Sequence, residues 1–236
     1  MKILHLCYLA ISFWVLPVQA AFLNGGFETG NFKIWSSLGD ASVTDTGFGI
    51  GPVTGTFQAL LTNAATATDG YNYSGIDAVA VDQLEAFLHL PTASLGAFEG
   101  TGIGQSFTAN AGDILSFSWD FLTDQANQVE FNDFAFAVLD GNLISLTNTA
   151  SLLKTSNSPF LLETGYAGFS QILSAGNHSL SFAIVDVGDG LATSGLLIDN
   201  VSLSATPTTV PEPSDISLWA VGFLALVSIS RLQKSY

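Results

Sequence analysis

Asp120, Asp124, Glu130 and Asp133 crowd one stretch of the chain, among Phe117, Trp119, Phe121 and Phe134. Two carboxylates facing each other across a cleft are the apparatus of glycoside hydrolysis. One protonates the leaving oxygen while the other attacks, or activates water. That chemistry needs a defined separation and one desolvated acid, and spacing along a chain supplies neither. The competing reading is that these groups are solvated or cap turns. A second acidic group, Asp186-Val-Gly-Asp189-Gly190, could form an oxygen-rich site at a strand end, but it lacks the ligand spacing of an EF-hand loop and reads first as a plain turn.

Other catalytic devices are missing. After residue 20 the histidines are His89 and His178, far apart and without a Gly-x-Ser-x-Gly elbow. No glycine loop followed by Lys is present to cradle phosphate. Trp35, Trp119, Tyr71, Tyr73 and Tyr166 offer rings for stacking on sugars. Trp119 falls on the apolar face of an alternating segment and reads as core. Tyr71 and Tyr73 lie in a polar stretch and are the candidate carbohydrate contacts.

The elements that must position these groups read as strands. Leu115, Phe117, Trp119 and Phe121 alternate with polar residues, as do Leu180, Phe182 and Ile184, which is the period of a half-buried strand. Phe134, Phe136 and Val138 repeat the pattern before an Asp140-Gly141 hairpin turn. Further strands are expected at Ala41–Asp45, Phe57–Thr62, Gly102–Ala109, Tyr166–Leu173 and Leu196–Ser204, with turns at Asn110–Asp113 and Ser174–Asn177. Residues 63–82 read as a long loop. Gln83–Leu90 is expected to form a two-turn helix, with Leu84, Phe87 and Leu88 on one face and Pro91 ending it. The fold class expected is all-β, an antiparallel, jelly-roll-like β-sandwich over residues 21–205.

Composition narrows the function. Residues 21–210 contain two basic side chains, Lys33 and Lys154, against eighteen acidic ones, a net charge of −16. Such a surface repels phosphates, so nucleic acid is excluded as a partner. Solubility, calcium uptake or a neutral-sugar partner all suit the acid excess. Residues 1–20 read as a signal peptide: Lys2, an apolar Ile3–Leu16 and a small-x-small Val18-Gln-Ala20 cleavage site. Cleavage there removes Cys7, the only cysteine, and with it any disulfide, thiol or zinc–thiolate chemistry.

The other end is a linker, residues 206–213, followed by residues 214–236. Pro211 and Pro213 hold the backbone extended around Glu212. The uncharged Ile216–Ser230, as a helix, spans roughly 22 Å against a hydrocarbon core of about 30 Å. That length suits a transient inner-membrane tether better than a lasting anchor. The Pro211-Glu212-Pro213 motif, the apolar span with Gly222 and the basic Arg231 and Lys234 resemble the PEP-CTERM sorting signal. The resemblance implies export, an exosortase-type membrane protease as partner, and a destination at the cell surface or outside the cell. The basic end is sparser than is usual in that family.

Asn24-Gly-Gly-Phe-Glu28 and Leu197-Ile-Asp-Asn-Val-Ser-Leu203 resemble the opening and closing strands of jelly-roll carbohydrate-binding modules. In those domains the two ends pair, often around a structural Ca²⁺, and Glu28 and Asp199 match the family's acidic positions. The alternative is that both carboxylates cap local backbone. Phe117–Asp124, Asn132–Phe134 and Ser194–Asn200 also resemble secreted PEP-CTERM proteins that carry no assigned activity. The expected function is a non-enzymatic extracellular β-sandwich binding polysaccharide or like proteins. The alternatives are a carboxylate-dependent glycoside hydrolase and a purely structural surface protein.

Overall fold

The computed structural model describes residues 22–65, 72–125, 131–188 and 192–205. The expected signal peptide, the Pro211-Glu212-Pro213 motif and the apolar tail, together with Tyr71, Glu130 and Asp189, lie outside the described residues. Among the described residues no helix is long and apolar enough to cross a membrane.

Two antiparallel sheets form a sandwich. Its strands are β1 (Ser36–Leu38), β2 (Asp40–Thr44), β3 (Gln58–Thr62), β4 (Val79–Ala80), β5 (Glu99–Ala109), β6 (Ile114–Thr123) and β7 (Phe134–Leu139). They are followed by β8 (Asn142–Asn148), β9 (Lys154–Thr155), β10 (Leu162–Glu163), β11 (Ala167–Ile172), β12 (Gly176–Asp186) and β13 (Ser194–Ser204). The first sheet runs β1-β5-β12-β7-β8, with β4 also on β5. The second runs β2-β3-β13-β6-β10-β9, with β11 also on β6. The last two strands are central, β12 in one sheet and β13 in the other. Each therefore joins strands distant in the chain, the crossing expected of a jelly-roll-like sandwich.

Between the sheets the expected alternation holds. Ile103 and Phe107 of β5, Leu115, Phe117 and Phe121 of β6, and Leu180, Phe182 and Ile184 of β12 share one core. Phe182 meets Phe117 edge-on with ring centroids 4.7 Å apart. Trp119 is half-buried against that core, as its position in the alternation implies. In β13 the register shifts after Asp199, where Asn200 takes φ 55°. This bulge lets Ile198 and Val201 both face inward. The opening segment docks on it. Val201 N–H donates to the Gly25 carbonyl at 2.9 Å, and a β-carbon on Gly25 would sit 1.8 Å from the Val201 oxygen.

The structure corrects the reading of β7. Phe134, Phe136 and Val138 do not face the sandwich interior. Ala135, Ala137 and Leu139 do, and Phe136 and Val138 turn outward into a second apolar layer with Leu84, Leu88, Ala183 and Val185. The cover is a helix, α1 (Val81–Phe87). It begins and ends earlier than Gln83–Leu90, because β4 leads directly into it and Leu88 caps it. β4 also interrupts the loop expected over residues 63–82. Alternation cannot distinguish the two faces of a strand that is buried on both.

Glycine makes room for α1. Gly100 and Gly102 lie on the outer face of β5, where a β-carbon on Gly100 would come within 2.8 Å of Leu84 and 2.4 Å of the Ile184 carbonyl. The helix can approach the sheet only where β5 lacks side chains. Gly100→Ala is expected to lower stability by about 1–3 kcal/mol through overpacking. The check is urea unfolding, with the loss appearing in the midpoint and not in the slope.

Candidate functional site

The carboxylates come first, because burial makes them informative. Asp40, Glu85, Asp113, Asp120, Asp133, Glu163, Asp186 and Asp199 are all buried. Most of those whose contacts are resolved accept hydrogen bonds from loop backbone. Asp40 takes the N–H groups of Tyr73 and Ser74 and the Thr62 hydroxyl. Glu85 of α1 takes Ala93 N–H at 2.7 Å and Leu95 N–H at 2.9 Å. Burial alone would raise the Glu85 pKa. The N–H groups of Leu95, Ala93 and Ser94 outweigh it and hold the group below the usual carboxylate range.

The structure brings Glu28 and Asp199 together at the start of the sandwich. A β-carbon on Gly26 would lie 3.7 Å from Asp199 Oδ1 and 3.9 Å from Glu28 Oε1. Both carboxylates face N–H donors. Thr54 N–H reaches Asp199 at 2.8 Å and Asn200 N–H at 2.6 Å, while Thr56 and Phe57 donate to Glu28 at 3.0 and 3.1 Å. Calcium takes six to eight oxygens. Two carboxylates supply only part of that shell, and among the described residues no group of three or more His, Cys, Asp or Glu could hold a metal ion. The arrangement suits a clasp that ties residues 54–57 to both chain ends.

Of the four carboxylates considered for hydrolysis, the three that are described, Asp120, Asp124 and Asp133, share no hydrogen-bond partner. Asp124 accepts Leu161 N–H at 2.8 Å. Asp120 lies under the outer cover of the second sheet, accepting the Thr164 hydroxyl at 3.0 Å, and its Oδ2 has no partner among the described residues. Burial, followed by the nearby Glu163 carboxylate, pushes its pKa up to about 6. Asp133 accepts from Ser194, Asn63 and Val187 and shares no partner with Asp120. Burial and the Asp186 carboxylate push it up to about 7. Lys154, one of the two cations between residues 21 and 210, pairs with Glu163 at 3.1 Å.

Tyr73 is partly exposed, but its ring belongs to the cover of the second sheet, 5.6 Å from Phe48 and 6.5 Å from Phe160. The concavity suited to a ligand lies elsewhere. On the outer face of the first sheet, beside α1, a cleft of about 390 Å³ opens. Its floor is Gly104, Ser106, Ser179 and Ser181, from the paired strands β5 and β12. Phe87 and His89 form one wall, and Ile34 and Ser36 the other. Among the described residues His89 is the only titratable one lining it. Past the Ser106–Ser179 rung, a second depression continues along the same two strands to Thr108 and Asn177. Beside it His178 Nδ1 meets Asp140 at 2.7 Å, and that bond raises the imidazole pKa against the opposing effect of burial. The polar half of the β5 and β12 alternation was the available signal for this cleft. It was missed because a polar strand face reads as ordinary solvent exposure.

The sequence matches no family profile and no curated protein. Solved structures of similar shape are distant. TmCBM61, in complex with β-1,4-galactotriose, is 13% identical, with 78% of this chain and 97% of that one covered and a TM-score of 0.41. The K1 cleaved adhesin domain of Lys-gingipain from Porphyromonas gingivalis W83 is 11% identical over 77% and 96%, at 0.42. The mannan-recognising carbohydrate-binding module TmCBM27 is 16% identical over 73% and 89%, at 0.34. At these values the likenesses carry no functional argument.

Two measurements follow from this geometry. Asp199→Asn turns an amide N–H₂ toward N–H donors and is expected to cost about 2 kcal/mol, whereas EDTA is expected to leave the wild-type melting temperature unchanged. An EDTA-dependent drop would restore calcium. The second concerns pH. Asp120, Asp133 and Asp199 have raised pKa values, so the folded state holds protons that the unfolded state has released. Their stabilising contribution is complete below the unfolded pKa of about 4 and is lost as pH rises through the folded values, about 6 for Asp120 and about 7 for Asp133. His178, also raised, acts in the same direction. The melting temperature is expected to fall by several degrees between pH 5 and pH 8. Asp133→Asn should flatten the profile.

Proposed function

We propose that this domain is a non-enzymatic β-sandwich that binds neutral polysaccharide in the cleft between α1 and the outer face of the first sheet. The observation that carries the reading is the cleft lining. It offers hydroxyls from Ser36, Ser106, Ser179 and Ser181, a close-approach glycine and an aromatic wall, with no Asp, Glu, Lys or Arg. An ionic ligand finds no counter-charge there. A sugar finds hydrogen-bonding groups beside an apolar ring. The buried acid pairs, Asp120 with Glu163 and Asp133 with Asp186, line none of the depressions described above, which supports binding over hydrolysis.

The address fits that role. Residues 1–20 would carry the chain through the membrane. Residues 214–236 would tether it transiently to the inner membrane until an exosortase-type protease acts near Pro211-Glu212-Pro213. The binding domain would then be left at the cell surface or in the extracellular matrix.

A polysaccharide array tests the reading. Retention on a neutral glycan with no new reducing ends is the expected result. Released reducing ends would favour the hydrolase instead. The double variant Ser106→Ala, Ser181→Ala should weaken retention about tenfold, the effect of losing two hydrogen bonds of roughly 0.7 kcal/mol each. Tyr73→Ala should leave it unchanged.

A further inference from the structure

Sheet edges expose backbone N–H and C=O groups, and proteins defend them with charge, proline, bulges or cover. Most edges here are defended. β1 is three residues long. β2 opens at Asp40 and runs into Asp45. β9 carries Lys154. β8 shifts register against β7, and Ser151 in the loop after it bonds back to Thr147.

β11 is different. It pairs with β6 over six consecutive residues, Ala167–Ile172, without a register shift. Residues 164–174 contain no charge and no proline in a chain of net charge −15. Ile172 is 68% exposed, and a β-carbon on Gly168 would meet nothing within 4 Å. In an antiparallel pair the residues turn backbone groups alternately toward and away from the partner. Those that β11 turns away from β6 have no backbone partner among the described residues.

We propose that β11 is a self-association edge, on which the β11 of a second copy of this chain pairs antiparallel and extends the seven-stranded sheet across a two-fold axis. Two features select a second copy as the occupant. A strand paired antiparallel with itself about a two-fold axis satisfies the same amide groups on both sides. Two strongly acidic chains also approach with least repulsion where neither presents a carboxylate, and β11 is such a place. This interface does not involve the cleft beside α1, so it stands independently of sugar binding.

Sedimentation velocity on the full-length chain in mild detergent is the test. Wild type is expected to form dimers at micromolar concentration, and more of them in 0.5 M than in 0.05 M salt as the acidic surfaces are screened. Ser170→Lys places like charges across the two-fold and should weaken dimerisation at least tenfold at an unchanged melting temperature. Leu143→Lys on β8 should have no effect. If Ser170→Lys fails to fold, Ile172→Lys makes the same measurement. A wild type that stays monomeric at about 100 μM overturns the proposal. So does a dimer indifferent to the β11 charge, which would be held by the apolar tail or another surface, or one lost in Leu143→Lys.

Discussion

Carboxylates that accept backbone N–H groups hold this domain together outside its core. A sandwich with long connections must satisfy many loop amides, and this chain has almost no Lys or Arg side chains to organise those loops through ion pairs. Asp40, Glu85, Asp199 and Glu28 each gather N–H groups from a segment that would otherwise hang free. Charge-assisted bonds of this kind are stronger than neutral ones, and at Glu85 the donors outweigh the cost of burying the charge. At Asp120 and Asp133 burial and a neighbouring carboxylate, Glu163 or Asp186, outweigh the donors and raise the pKa instead. The acidic composition is in large part internal architecture, not only a solubilising surface.

Both sheets bury part of their outer faces as well. α1 covers Phe136, Val138, Ala183 and Val185 on the first sheet. On the second, the segments carrying Phe48 and Phe160 close over Leu60, Leu122 and Leu197. The glycines of β5 allow the first cover to sit close. The same glycine-and-serine surface, continued past the end of α1, becomes the floor of the cleft. Cover and cleft are thus two uses of one strand face, separated by where the helix stops at Phe87.

Much of the sandwich was legible in the chain. β6 and β12 announced themselves by alternation, and the turns at Asp140-Gly141 and Gly112 by residues that tolerate positive φ. The outward direction of Phe136 was not legible, since a strand buried on both faces shows apolar residues at every position. The cleft was hidden for the opposite reason: Ser106, Ser179 and Ser181 look like any solvated strand face until α1 and Ile34 wall them in. Tyr73 drew attention as an aromatic in a polar loop, yet its ring rests beside Phe48 and Phe160, a contact between segments far apart in the chain.

The order of the chain by itself determined the fold class, the strands with one polar face and the acid excess. These follow from local periodicity and from charge, which are properties of residues and their near neighbours. Tertiary structure alone decided which carboxylates are buried, whether Asp120 and Asp133 share a site, and where a concavity opens. Burial, separation and pKa depend on what packs against a residue from elsewhere in the chain. In a fold whose last two strands are central to both sheets, those neighbours come from far along the chain.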